Sequence, residues 1–156
     1  MRATKHDDGW RDIQKGDELH MEFMTWTTDL SVGVETLDDD HKRLIGIINQ
    51  LHFGIMAGHD KRVLEAVLGE LIDYTRFHFT REEEMLLEAG YVATPEHMTE
   101  HDQFIRRISR VQARLKSESV AMLDLELMDF LRDWLFSHIL VSDKKYGPRL
   151  NAHGLY

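Results

Sequence analysis

The sequence predicts an all-α protein, an antiparallel up-down-up-down four-helix bundle with an extended N-terminal lead-in. Three observations carry this. Four stretches repeat apolar residues at helical spacing, no segment shows the alternation of a half-buried strand, and the connections between stretches are short. The chain has 156 residues and only two prolines, and a domain of this size buries roughly 70% of its unfolded surface, enough for a core without covalent staples.

Residues 1–20 are polar with isolated Trp10 and Ile13, and they read as a flexible arm. The segment from Met21 to Glu35 carries Phe23, Trp26, Leu30, Val32 and Val34 without helical spacing, so an ordered, extended lead-in is expected there. The first helix is expected to open on a capping box at Thr36-Leu37-Asp38-Asp39. It continues through Leu44, Ile45, Ile48, Leu51 and Ile55 to Gly58. The second opens on Asp60 as N-cap and runs through Leu64, Leu68, Leu71 and Phe79 to Leu86, with Gly90 beyond its end. The third opens at Thr94-Pro95 and runs to about Leu115. The fourth opens near Ser117 or Ser119 and runs toward Lys144 and Lys145, with Gly147-Pro148 as its stop. The expected unit is 21–150, followed by a tail at 151–156.

Composition excludes several functions. The absence of cysteine removes disulfides, thiolate metal sites, iron–sulfur clusters and covalent haem. A formal charge of −9 argues against nucleic-acid binding. No apolar run is long enough to span a bilayer and the first residues do not read as a secretory signal, so a cytoplasmic protein is expected. What stands out is histidine, at 10 of 156 residues.

The histidines fall into a pattern. His41 lies in the first turn of the first helix. His78 and Glu82 are four apart on the second, His97 and His101 four apart on the third, and His138 and Asp143 five apart at the end of the fourth. Residues four apart share a helix face, so each such pair can grip one ion or two adjacent ions. Any one of these signals is weak, because a chain this rich in histidine contains about 0.6 H-x-x-x-H pairs by chance. Jointly they are strong, since every helix contributes at least one ligand type to one bundle interior. Phe77 and Phe79 beside His78, and Trp134 and Leu135 one turn before His138, mark core-facing neighbourhoods. The five-residue step is the exception. It leaves Asp143 about 140° from His138 on a straight helix, so joint binding requires a loosened or π-type turn; taken alone, the spacing places Asp143 on the surface beside Lys144.

Five imidazoles and two carboxylates are too many for one tetrahedral zinc and suit iron. If both carboxylates bridged two ions together with an oxide or hydroxide, one metal would have six ligands and the other five. One position would then stay open for a small diatomic molecule.

The stretch from Trp26 to Leu51, followed by H-F-T-R-E, H-M-T-E-H and H-I-L-V-S-D, resembles the hemerythrin family, and within it the bacterial hemerythrins. The family pattern of one His, then H-x-x-x-E, H-x-x-x-H and H-x-x-x-x-D, is present in order from about Met21 to Leu150. The resemblance implies two iron ions with a bridging oxide or hydroxide and reversible binding of O₂. His97, His101 and His138 would bind one iron. His41 and His78 would bind the other, which keeps the open position, and Glu82 and Asp143 would bridge. Leu44, Trp134, Leu135 and Ile139 would wall the O₂ pocket. The arm at 1–20 departs from the family.

The implied protein is a monomeric oxygen store or carrier and not an enzyme, supplying an oxygen-consuming enzyme or a signalling partner. An O₂ or redox sensor and a slow oxidase are the alternatives that share the iron centre. H97-M-T-E-H101 also matches an inverted zinc-protease signature with Glu100 as base. That reading leaves His41, His78 and His138 without a role, and a compact bundle has little room for a peptide. A b-type haem would need only one or two axial ligands and leaves most of the pattern unused. The paired Glu-x-x-His motifs of carboxylate-rich di-iron oxidases are absent.

Overall fold

The structure is a computed structural model that describes residues 22–156; the arm at 1–20, and Met21, lie outside the described residues. Four long helices form the bundle: α1 (Glu35–Met56), α2 (Lys61–Glu88), α3 (Thr94–Ser117) and α4 (Leu125–Ser137). A short fifth helix, α5 (Gly147–Ala152), follows, and the described residues contain no strand. α1 packs on α2 and α4, and α2 packs on α3, as an up-down-up-down chain with short connections requires. The core between them is aliphatic, with Leu37, Ile47, Ile48, Leu51, Leu68, Leu71, Leu86, Ile108, Leu115 and Leu131 fully buried.

The lead-in is ordered and packed. Met24, Leu30, Val32 and Val34 are buried, with one 3₁₀ turn at Thr28–Leu30. Asn49 of α1 fastens the lead-in: its side chain accepts from the Met24 N–H and donates to the Met24 carbonyl, both at 2.8 Å. Phe23 stacks on His52 of α1.

The helix ends partly follow the sequence signals. Asp60 caps α2 by accepting from the Val63 N–H. Gly58 and Gly90 both take positive φ, the left-handed conformation that glycine adopts without strain, just beyond the ends of α1 and α2. Other starts differ. α1 begins at Glu35 with no side-chain cap, and the expected box at Thr36 does not form. Asp38 instead turns back to the lead-in and accepts from the Val32 N–H and the Ser31 hydroxyl, so tertiary contact outcompetes local capping. Thr94 is the first residue of α3 rather than its cap, and its hydroxyl donates to the Tyr91 carbonyl. α4 opens at Leu125, later than expected. Val120–Met122 forms a separate 3₁₀ turn, and Asp124 caps α4 through the Leu127 N–H.

The end of α4 is the main departure from regular helix. The chain passes into a π-helical turn at His138–Ser142 and then a 3₁₀ turn at Asp143–Lys145. Pro148 then sits in the first turn of α5 instead of ending all helix. α5 is held tightly. Leu150 is fully buried, and Asn151 donates to the carbonyls of Gly33 and Leu155.

Gly147 is needed for close approach. A Cβ there would lie 2.2 Å from the Val32 carbonyl oxygen, a backbone atom that can move only with the lead-in. Gly147→Ala is therefore expected to destabilise the protein by about 1–3 kcal/mol. That lowers the thermal midpoint by roughly 2–4 °C for each kcal/mol. An unchanged midpoint by calorimetry would show that the lead-in shifts freely.

Candidate metal centre

The seven residues singled out from the sequence converge in the bundle interior. His41 comes from α1, His78 and Glu82 from α2, His97 and His101 from α3, and His138 and Asp143 from the π-helical turn and the residue after it. All seven are buried, with Glu82, Asp143 and His41 at 0% exposure. The π turn brings in the last of them. The Asp143 N–H bonds to the His138 carbonyl five residues back, so the two side chains lie on one side of the helix. A regular turn would have pointed Asp143 elsewhere.

The donor atoms form two sets. Glu82, His97, His101, His138 and Asp143 place one atom each within 4.8 Å of one another, as do His41, His78 and Glu82. Within the first set, Glu82 Oε1 lies 2.6 Å from His97 Nε2 and 3.2 Å from His101 Nε2. Asp143 Oδ1 lies 3.2 Å from His97 Nε2 and 3.0 Å from His138 Nε2. The other oxygens face the second set. Glu82 Oε2 lies 3.6 Å from His78 Nε2 and 3.9 Å from His41 Nε2, and Asp143 Oδ2 lies 3.2 Å from His41 Nε2. Each carboxylate thus presents one oxygen to each set.

Carboxylates on the far side fix which ring nitrogens carry protons. His101 Nδ1 donates to Glu83 at 2.8 Å, His138 Nδ1 to Glu100 at 2.7 Å, and His78 Nδ1 to Asp40 at 3.1 Å. A neutral imidazole that donates through Nδ1 turns a lone pair inward on Nε2. His101 Nε2 and His138 Nε2 meet at 2.9 Å in this state, a distance at which two lone pairs repel unless a cation or proton lies between them. The neighbouring donor atoms of the first set lie 2.6–3.2 Å apart, close enough to meet on one cation. Four polar atoms, both nitrogens of His41 and both oxygens of Asp143, are fully buried without a hydrogen-bond partner, a condition costing about 1–3 kcal/mol per group or more when charged. The residues fit a pair of metal ions.

Electrostatics agree. Burial alone would raise the Glu82 and Asp143 carboxyls, but the surrounding imidazoles hold both well below the usual carboxylate range. Two negative charges therefore sit side by side in the core. Burial alone would lower His97, yet the close carboxylates of Asp143 and Glu82 raise it to about 10. A cation bound through His97 Nε2 would have to displace the proton that these carboxylates hold there.

Aromatic rings pack the imidazoles. Phe79 lies flat on His101 with centroids 3.6 Å apart, and Trp134 stacks on His138 at 4.4 Å. Of the four expected O₂-pocket residues, Leu44, Leu135 and Ile139 are buried and Trp134 is half-buried against His138 and Phe104. A surface groove of about 540 Å³ beside the cluster is lined by other residues, among them Phe79, Glu83 and His101. Phe77, expected to face the core, is instead 48% exposed with the Arg81 guanidinium over its ring.

The sequence reading did not find Asp40, Glu83, Glu100 as an orienting group, or Tyr146. Glu100 Oε2 accepts from His138 Nδ1 and from the Ser142 hydroxyl, so it serves the outer side of an imidazole. Fully buried Tyr146 donates to Glu82 Oε2 at 2.5 Å. Its place three residues after Asp143, hence on a neighbouring face, was the one available signal.

A helical bundle enclosing a buried imidazole–carboxylate cluster for two cations defines a class of non-haem metal proteins, and comparison with known proteins identifies which. The family model described as the hemerythrin HHE cation binding domain matches residues 32–150. The chain is 34% identical over 133 residues to a bacteriohemerythrin of Stenotrophomonas maltophilia, covering 85% of each chain. It is also 34% identical over 133 residues to one of Methylococcus capsulatus, covering 85% of this chain and all of that one. It superposes on a wild-type hemerythrin crystal structure with a TM-score of 0.76 at 34% identity, covering 81% of this chain and 97% of the other. The chain belongs to the hemerythrin family, whose cofactor is a di-iron centre.

Because His97 must give up its proton to offer Nε2, loading the metal-free protein with Fe²⁺ near pH 7 is expected to release at least about one proton per chain. An indicator dye in weak buffer measures this. Loading without proton release would mean that His97 Nε2 remains protonated and binds no metal.

Proposed function

We propose that this protein binds O₂ reversibly at a di-iron centre held by His41, His78, Glu82, His97, His101, His138 and Asp143. Its role is oxygen storage, transport or delivery to an oxygen-consuming enzyme, as a monomer in the cytoplasm, without catalysis of its own. One observation supports this above the others: each of two ionised, fully buried carboxylates offers one oxygen to each imidazole set. Two ions can therefore share both carboxylates. His97, His101 and His138 would serve one iron, and His41 and His78 the other, which keeps room for a ligand.

When bound, the iron pair supplies the electrons for reversible O₂ capture. The chain supplies the rest. Asp40, Glu83 and Glu100 hold the imidazole protons outward, so the lone pairs face inward. Tyr146 keeps a proton on the Glu82 side of the cavity. Leu44, Trp134, Leu135 and Ile139, taken from the family match, would form the apolar wall that denies water to the bound ligand; three of them are buried in the core. No described helix is long and apolar enough to cross a membrane.

The test is metal analysis with a visible spectrum, recorded reduced without air, then in air, then after deoxygenation. Two irons per chain and a band that appears in air and fades on deoxygenation are expected. Iron that oxidises in one pass, with no reversible form, would replace the carrier by a sensor or an oxidase. His101→Ala removes a donor and leaves a gap beneath Phe79, so its iron content should fall below that of the parent. Full iron and an unchanged spectrum in that variant would defeat the assignment. The unit that binds O₂ is 21–150, and deleting residues 1–20 is expected to leave oxygenation intact. A large loss would give the arm a part in closing the pocket.

A further inference from the structure

Asp40 is the one outer carboxylate that is itself buried and bound on all sides. Its Oδ2 accepts from His78 Nδ1 at 3.1 Å, and its Oδ1 accepts from the Tyr74 hydroxyl at 2.8 Å. The Arg81 guanidinium donates through one nitrogen to both oxygens at 3.2 Å. Glu83 and Glu100, which serve His101 and His138, carry no such cation among the contacts of the described residues. The two imidazole sets are thus backed differently. The set with fewer imidazoles has a carboxylate neutralised by arginine, and the other set has bare, partly exposed carboxylates.

The difference has an electronic consequence. A carboxylate that accepts the Nδ1 proton strengthens the imidazole as a donor, and more strongly the more negative it is. A strong donor favours the ferric state. An arginine on that carboxylate withdraws charge from it, weakens its pull on the His78 proton and so favours the ferrous state. Arg81 can hold this position because it lies one residue before Glu82 and one turn after His78. Its guanidinium is half-exposed and seated over the ring of Phe77.

We propose that Arg81 is a positioning residue for the iron on the His41–His78 side: through Asp40 it sets the basicity of His78 and holds that iron toward the ferrous state. The proposal rests on the di-iron reading above. Phe77, exposed and otherwise unexplained, is the platform that orients the guanidinium.

The experiment is redox titration of the iron-loaded full chain, with iron content measured on every sample. Arg81→Gln is expected to keep two irons and to shift the oxidised-to-reduced ratio at fixed potential three- to tenfold toward ferric. A tenfold change is about 59 mV for one electron. Arg81→Lys, which restores a cation without the planar fork, should recover part of the shift. Asp40→Asn should move the ratio the opposite way, toward ferrous. In the Asp40→Asn background, Arg81→Gln should have no further effect, because its route is gone. The thermal midpoint of each metal-free variant gives an independent measure of folding.

A two-iron Arg81→Gln protein with the parent potential would overturn the proposal. So would an equal shift in the Asp40→Asn background, which would mean that Arg81 acts by its charge alone. Loss of iron in Arg81→Gln and Arg81→Lys alike would make the residue structural and overturn it too. Failure of the parent chain to take up two irons would instead sink the di-iron reading itself.

Discussion

Glu82 and Asp143 are both fully buried and both ionised, and they stand side by side in the middle of the bundle. An uncompensated buried charge costs several kcal/mol, so two together are tolerable only if the surroundings are built to receive positive charge. The five imidazoles around them answer this need. The long helices serve the same end. They supply a rigid wall on every side, so the charge cannot be relieved by letting water in.

The geometry is specified from outside inward. Asp40, Glu83 and Glu100 contact only the outer nitrogens of their imidazoles, yet they decide which nitrogen offers a lone pair to the interior. Aromatic stacking fixes the ring planes. Phe79 on His101 and Trp134 on His138 leave those rings little freedom to turn. Preorganisation of this kind lets a site hold a metal without rearranging around it, and it makes the outer residues as consequential as the donors themselves.

One irregularity in the backbone completes the buried cluster. The π-helical turn at His138–Ser142 carries Asp143 back over His138. The chain after it must turn sharply to cover the site. It does so through Tyr146, buried against Glu82, and through Gly147, whose lack of a side chain lets α5 lie against Val32 of the lead-in. The lead-in and the last helix thus close on each other. Their contact helps to keep the π turn in place, although they are distant in sequence.

The sequence by itself determined the bundle and singled out seven side chains that converge in its interior. Helical periodicity reports which face is apolar, and spacings of four report which polar residues share a face; both are local properties. The five-residue step from His138 to Asp143 taken alone placed Asp143 on the surface, and only the resemblance argued for the loosened or π-type turn that the structure contains. Only the tertiary structure decided what depends on contacts between elements. Asp38 looked like part of a capping box but bonds to the lead-in. Phe77 looked internal but is exposed, since a helix's orientation is set by its neighbours. Asp40 and Glu83 sit in short runs of acidic residues with no spacing that singles them out. They become partners of imidazoles because residues 38 and 18 positions away, on other helices, are brought against them. Hydrogen bonds across such separations leave no periodic trace in a single chain, which is why the converging residues could be picked out in the sequence and the groups that orient them could not.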